Sequence, residues 1–144
     1  MAGKSTILCQ EIVDYLKTQQ IELPWLEIER RNFATVRGEE VLRPHVFVAP
    51  VAIQQTIETR KHWATFFRIN ICLCQMLNTL NITEQDLLIG VAEDLPLRLV
   101  DWRSSTGAYV VDIDDESTRV NFDEVQMETG TMFVASTIIN FRGG

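Results

Sequence analysis

The chain has 144 residues with a formal net charge of −7, from 13 Lys and Arg against 20 Asp and Glu. Apolar residues make up 46 %, enough for one core, and at this length one domain spanning 1–144 is expected. A chain of this size buries roughly 68–70 % of its unfolded surface, so neither disulfides nor a structural metal are needed for folding. The acidic balance argues against a duplex-binding protein, which needs a dense positive face.

No stretch approaches the roughly 20 apolar residues of a membrane span, and Met1 to Thr6 carry only one basic residue with no long apolar run behind it, unlike a signal peptide. The three cysteines are an odd number, and Cys72 and Cys74 lie two apart. Both points read as a chain made and kept in a reducing cytosol.

Residues 5 to about 19 predict a helix, because Leu8, Ile12, Tyr15 and Leu16 form one apolar stripe. Pro24 limits its length. Residues 26–33 alternate weakly and suggest a half-exposed strand; Gly38 among charged neighbours suggests a turn. Residues 45–49 are valine-rich between Pro44 and Pro50 and predict a strand. Residues 51–59 fit either its continuation or a loop.

Between 60 and 76 lies the longest alternation. Phe67, Ile69, Ile71 and Leu73 share one face; Phe66, Arg68, Asn70, Cys72 and Cys74 share the other. A period of two over this length is a strand buried on one side. From 83 to about 94 a second helix is expected, with Thr83 as N-cap, Asp86 three residues on, Ile82 and Leu87 as a hydrophobic staple, and a stripe of Leu87, Leu88, Val91 and Leu95. Pro96 should end or kink it. Residues 108–113 read as a strand running into an acidic turn, Asp114, Asp115 and Glu116. Residues 133–142 form a closing strand with two partly apolar faces, hence a central or doubly covered one. The order predicts an α+β fold: a single domain with a mostly antiparallel, mixed β-sheet packed against two main helices.

No constellation of residues names a chemistry. Gly3-Lys4-Ser5-Thr6 matches the end of a phosphate-binding loop, but that loop needs a further glycine and a strand before it, and only two residues precede Gly3. Helix capping by Ser5 or Thr6 is the simpler reading. Cys72 and Cys74 point the same way at about 6.6 Å between Cα atoms, near the upper limit for a disulfide. A zinc site would need two more ligands, and Cys9, His45 and His62 stand at no recognisable spacing. Neither histidine accompanies a nucleophile motif. Asp112, Asp114, Asp115 and Glu116 lack the glycine and terminal glutamate of a calcium loop. The basic and aromatic mixture from Arg60 to Arg68 fits a strand end with snorkelling side chains. The closing Gly143-Gly144 shares its two residues with ubiquitin-like modifiers, but the rest of the chain lacks the order of that small fold. No catalytic, cofactor-binding or metal-binding residue is assigned.

The order of elements is more informative. An amphipathic opening helix is followed by His45-Val46-Phe47-Val48-Ala49-Pro50, by Thr59-Arg60 leading into the long alternating strand, by a Thr-x-x-Asp helix with Leu87-Leu88 and Val91, and by a closing strand from Phe133 through Ala135-Ser136 and Ile138-Ile139 to Phe141-Arg142. This resembles the tail terminator, or tail completion, proteins of tailed bacteriophages and the related small neck and head-tail joining proteins. The resemblance implies a structural virion protein without catalytic residues or cofactors. It would form a ring, usually a hexamer, that caps the tail tube and meets the head-tail connector, with DNA passing through the lumen without specific binding and no membrane involved. Such a protein is made in the host cytoplasm and ends in the virion. Another neck or head-completion role in the same particle is the nearest alternative, and a small cytosolic α+β enzyme of unidentified substrate the alternative of another class. Candidate lumen or interface residues are Asp112, Asp114, Asp115, Glu116, Thr59 and Arg60. In a ring, acids around the hole would repel phosphate and let a duplex slide.

Overall fold

The structure is a computed structural model and describes residues 3–32, 43–59, 62–77, 82–124 and 131–143. The elements are α1 (Lys4–Thr18), β1 (Glu27–Arg30), β2 (His45–Thr59), β3 (His62–Leu77), α2 (Ile82–Leu97), β4 (Tyr109–Glu124) and β5 (Thr131–Arg142). They form one α+β domain with a mixed five-stranded sheet in the order β1-β2-β3-β5-β4. Only β1 and β2 run parallel; β2–β3, β3–β5 and β4–β5 are antiparallel.

Two strand faces build the core. On β3 the alternation puts Phe67, Ile69, Ile71 and Leu73 inward, each at most 5 % exposed. On β5, Phe133, Ala135, Ile139 and Phe141 do the same and pair with them across the ladder, Ile69 with Ile139 and Leu73 with Ala135. Both helices cover this face. Leu8, Ile12 and Leu16 of α1 and Leu88, Val91 and Leu95 of α2 are buried in the same cluster. Trp102 locks the connection after α2. Its ring stacks on Tyr15 of α1 at 5.4 Å and meets Phe141 edge-on at 6.3 Å, while the Tyr15 hydroxyl donates to the Arg98 carbonyl at 3.1 Å. Aromatic pairs at these spacings add to burial.

Several local expectations need correction. The α1 N-cap is Gly3, with no side-chain cap, so neither Ser5 nor Thr6 caps the helix. Ser5 turns inward instead and is buried. Thr83 lies inside α2, which starts at Ile82, and the proposed staple is open: Ile82 is 72 % and Leu87 44 % exposed. Pro96 has no amide to donate; α2 stops one residue later and relaxes into tight turns, such as Leu99 N–H to the Pro96 carbonyl. Residues 51–59 are strand, continuing β2 past an irregularity between Pro50 and Ala52. A proline at a break in the ladder removes no required hydrogen bond. The acidic segment is not a turn between elements: β4 runs through it. The turn expected at Gly38 lies outside the described residues.

Gly90 sits inside α2, and a Cβ there would meet nothing within 4 Å. Phe141 is fully buried beneath Trp102. Urea unfolding should therefore separate two variants in opposite directions. Phe141→Ala loses about 3–5 kcal/mol, and Gly90→Ala gains about 0.5–1 kcal/mol.

Candidate functional site

The sheet has two faces of unlike character. Both helices pack on one. The other carries Glu27 and Glu29 of β1, His45 and Phe47 of β2, Arg68, Asn70, Cys72 and Cys74 of β3, Ser136 and Asn140 of β5 and Asp112 of β4, as the pairing register requires. The polar groups of this second face bond to one another across the strands. Ser136 donates to Asn70 Oδ1 at 2.7 Å, and Asn140 donates from Nδ2 to Asp112 Oδ1.

A small apolar nest lies under the β1 end of this face. Phe47, Cys72 and Cys74 are buried there with Met132 and Val134 against them. The Arg31 guanidinium lies 4.0 Å above the Phe47 ring, held by Glu29 Oε1 at 2.9 and 3.0 Å. His45 stacks on the same ring at 5.6 Å. Its Nε2 meets Glu27 Oε2 at 2.9 Å and its Nδ1 meets the Arg43 carbonyl at 2.7 Å. Both imidazole nitrogens are therefore committed to oxygens. Neither is directed at a thiol, so His45 and the cysteines form no nucleophile–base pair.

All three thiols are free and buried. Cys9 lies in the core, and burial pushes its pKa from the ordinary 9.0 up to about 12. The Cys72 and Cys74 thiols influence one another: their contact lowers the pKa of Cys72 and, together with burial, raises that of Cys74. The Cys74 thiol donates to the His45 carbonyl at 3.9 Å. Among the described residues, no group of three or more His, Cys, Asp or Glu side chains is placed to hold a metal ion.

The candidate interface residues do not converge. Thr59 ends β2, opposite His62. Asp112 lies on β4 opposite Asn140, which pairs with Arg68. The six steps from His62 to Arg68 alone separate these levels by about 20 Å along the strand. Asp114 pairs with Ile138, but the next registered pair is Arg119 with Ser136. Five steps along β4 thus match two along β5, leaving Asp115 and Glu116 in an irregularity of the strand. Arg60 lies outside the described residues. The first residue of the terminal Gly-Gly pair is held in the sheet, with the Gly143 amide donating to the Thr65 carbonyl at 2.7 Å.

Sequence reasoning missed the two outer edges of the sheet, because edge status follows from strand order rather than from local pattern. One edge is β1, only four residues long and preceded by Trp25. That tryptophan has φ of 64° and is 77 % exposed, a conformation rare for a bulky side chain. The other edge is β4, 16 residues long. The turn around Gly107 (φ 89°) bridges Arg103 to Tyr109 at its start. Beyond Tyr109, no described strand pairs with the outer side of β4.

A cavity of about 210 Å³ opens between Ile7 and Leu8 of α1 and Thr65, Phe67, Ala108 and Gly143. Glu11 at its rim is occupied, accepting from the Ser105 amide and hydroxyl at 2.8 Å each.

No family model matches the chain, and no curated protein matches it. Among solved structures, one similar chain shares 12 % identity, covers 96 % of this chain and 91 % of its own length, and superposes with a TM-score of 0.48. Its designation states no activity, and a likeness this loose carries no functional argument. Among the described residues no helix is long and apolar enough to cross a membrane.

The raised Cys9 pKa fixes the sign of an alkaline effect. The folded state favours the neutral thiol, so this contribution is full below pH 9 and is lost as pH rises toward 12. Wild type and Cys9→Ala, unfolded in denaturant across that range, should converge in stability as the pH climbs.

Proposed function

We propose that this chain is a structural ring protein of a tailed bacteriophage particle, a tail terminator that caps the tail tube and meets the head-tail connector. The observation that carries the reading is the architecture of the described residues: one sheet, helices on one face, and two outer edges of unlike length. A subunit of a closed ring must show two different surfaces to its two neighbours. The order of elements resembles that of tail terminators along most of the chain, and the polar groups of the second face bond to one another across the strands.

In this reading the protein works by shape and contact. Its copies surround a lumen through which DNA moves without specific binding, and one rim of the ring fits the tube while the other fits the connector. Asp112, Asp114, Asp115 and Glu116 are the acids to place relative to that lumen. Acids at the hole keep phosphate off the wall; Lys and Arg around the hole would end the sliding role for them.

Native mass spectrometry and particle images of the purified protein, alone and mixed with tail tubes, test the reading. The expected result is a closed ring with a hole wide enough for a duplex, in solution or on tube ends. A monomer under both conditions overturns it.

A further inference from the structure

We propose that copies of this chain join edge to edge, β4 of one copy to β1 of the next, so that one sheet continues through the assembly; this rests on the ring reading above.

Strand direction is the first argument. With β1 and β2 parallel and the other three pairings antiparallel, β4 runs opposite to β1 within one subunit. A neighbour placed by rotation about a ring axis keeps these directions. Its β1 therefore meets β4 antiparallel, the more stable pairing. The helices of all copies then fall on one side of the continued sheet, and the polar face bearing Asn70, Ser136, Asn140 and Asp112 falls on the other.

Charge is the second. An unpaired edge strand is a template for another strand, and the simplest alternative is β4 against β4 in a symmetric pair. Centred on Asp114, that arrangement sets Asp112 against Glu116 and Asp114 against its own copy, and like charges across strands destabilise. The β1 edge has no such conflict. Its two glutamates are already compensated, Glu27 by His45 and Arg43 and Glu29 by Arg31, and its last residue is Arg30.

Side chains supply the third. Trp25 stands exposed two residues before β1 in a strained conformation. Strain of this kind persists where the surroundings or function require it, and tryptophan is the residue type most enriched at the energetic centres of interfaces. On β4, Val111 is 45 % exposed and falls in a register break between Val110 and Asp112, with no partner on β5. The segment of β4 from Tyr109 to Asp114, which carries the break at Val111, precedes the irregularity after Asp114. It is long enough for the four residues of β1.

The test uses the full chain. Trp25→Gly keeps the positive φ without strain, and Val111→Lys puts a charge on the β4 edge. Each should raise the concentration for half-assembly about tenfold or more, measured by analytical ultracentrifugation, while leaving the thermal midpoint of the monomer in place. Hydrogen exchange supplies the second readout: amides on β1 and from Val110 to Asp114 should gain protection on assembly. A ring whose β1 and β4 amides exchange as fast as those of the monomer overturns the edge-to-edge contact and leaves the ring reading standing. Absence of any assembly, with or without tail tubes, overturns both.

Discussion

The fold depends on one interaction above the others: the pairing of β3 with β5, whose inward side chains make a continuous apolar surface. Ile69 faces Ile139, Phe67 faces Phe141 and Leu73 faces Ala135 across this ladder, and every one of these side chains is buried. α2 packs against it, and α1, over the neighbouring β1 and β2, buries its stripe in the same core cluster. Because the strand period is two, the same alternation that points isoleucine and phenylalanine to the helices points Arg68, Asn70, Ser136 and Asn140 to the other side. The helices, the polar face and the outward displacement of β1 and β4 to the edges all follow from this central seam.

The elements that build the seam were legible in the sequence. The alternation from Phe66 to Cys74 and from Phe133 to Arg142 is long and apolar enough to specify strands without outside help. The stripe of α1 was equally plain in Leu8, Ile12 and Leu16. What misled was local chemistry that tertiary pairing overrides. Asp114, Asp115 and Glu116 are poor strand residues and read as a turn, yet β4 passes through them, because its ends are held against β5 from Tyr109 to Asp114 and again from Arg119. Pro50 leaves open in the sequence whether the strand continues; it sits at a break in the ladder, and β2 continues beyond it. Leu87 fits the apolar spacing of α2 but lies outside its buried stripe, which contains Leu88, Val91 and Leu95.

The candidate site was less legible, for a different physical reason. Side-chain type and spacing can announce a catalytic or metal centre, since such a centre needs particular donors. A surface that works by backbone edges leaves no such record. Nothing in Glu27–Arg30 distinguishes an edge strand from an inner one, and the conformation of Trp25 has no sequence signature. His45 illustrates the converse. As a lone histidine without a nucleophile motif it reads as structural, and Glu27, the Arg43 carbonyl and the Phe47 ring account for its position beside the apolar nest.

The central seam also governs the order in which the chain can assemble itself. β2 and β3 are neighbours in sequence, as are β4 and β5, so each hairpin closes a short loop. The seam instead joins β3 to β5 across α2 and β4, matching Phe66 with Arg142 and Leu77 with Thr131. Closing so long a loop is entropically slower than forming either hairpin. Until it happens, the inward faces of both hairpins and the open edges of β3 and β5 are in water together. The residues that later give the protein its core are thus, for that interval, an apolar strand edge open to any other unfolded copy. In that order of events, misassembly of this chain rises with its concentration during synthesis.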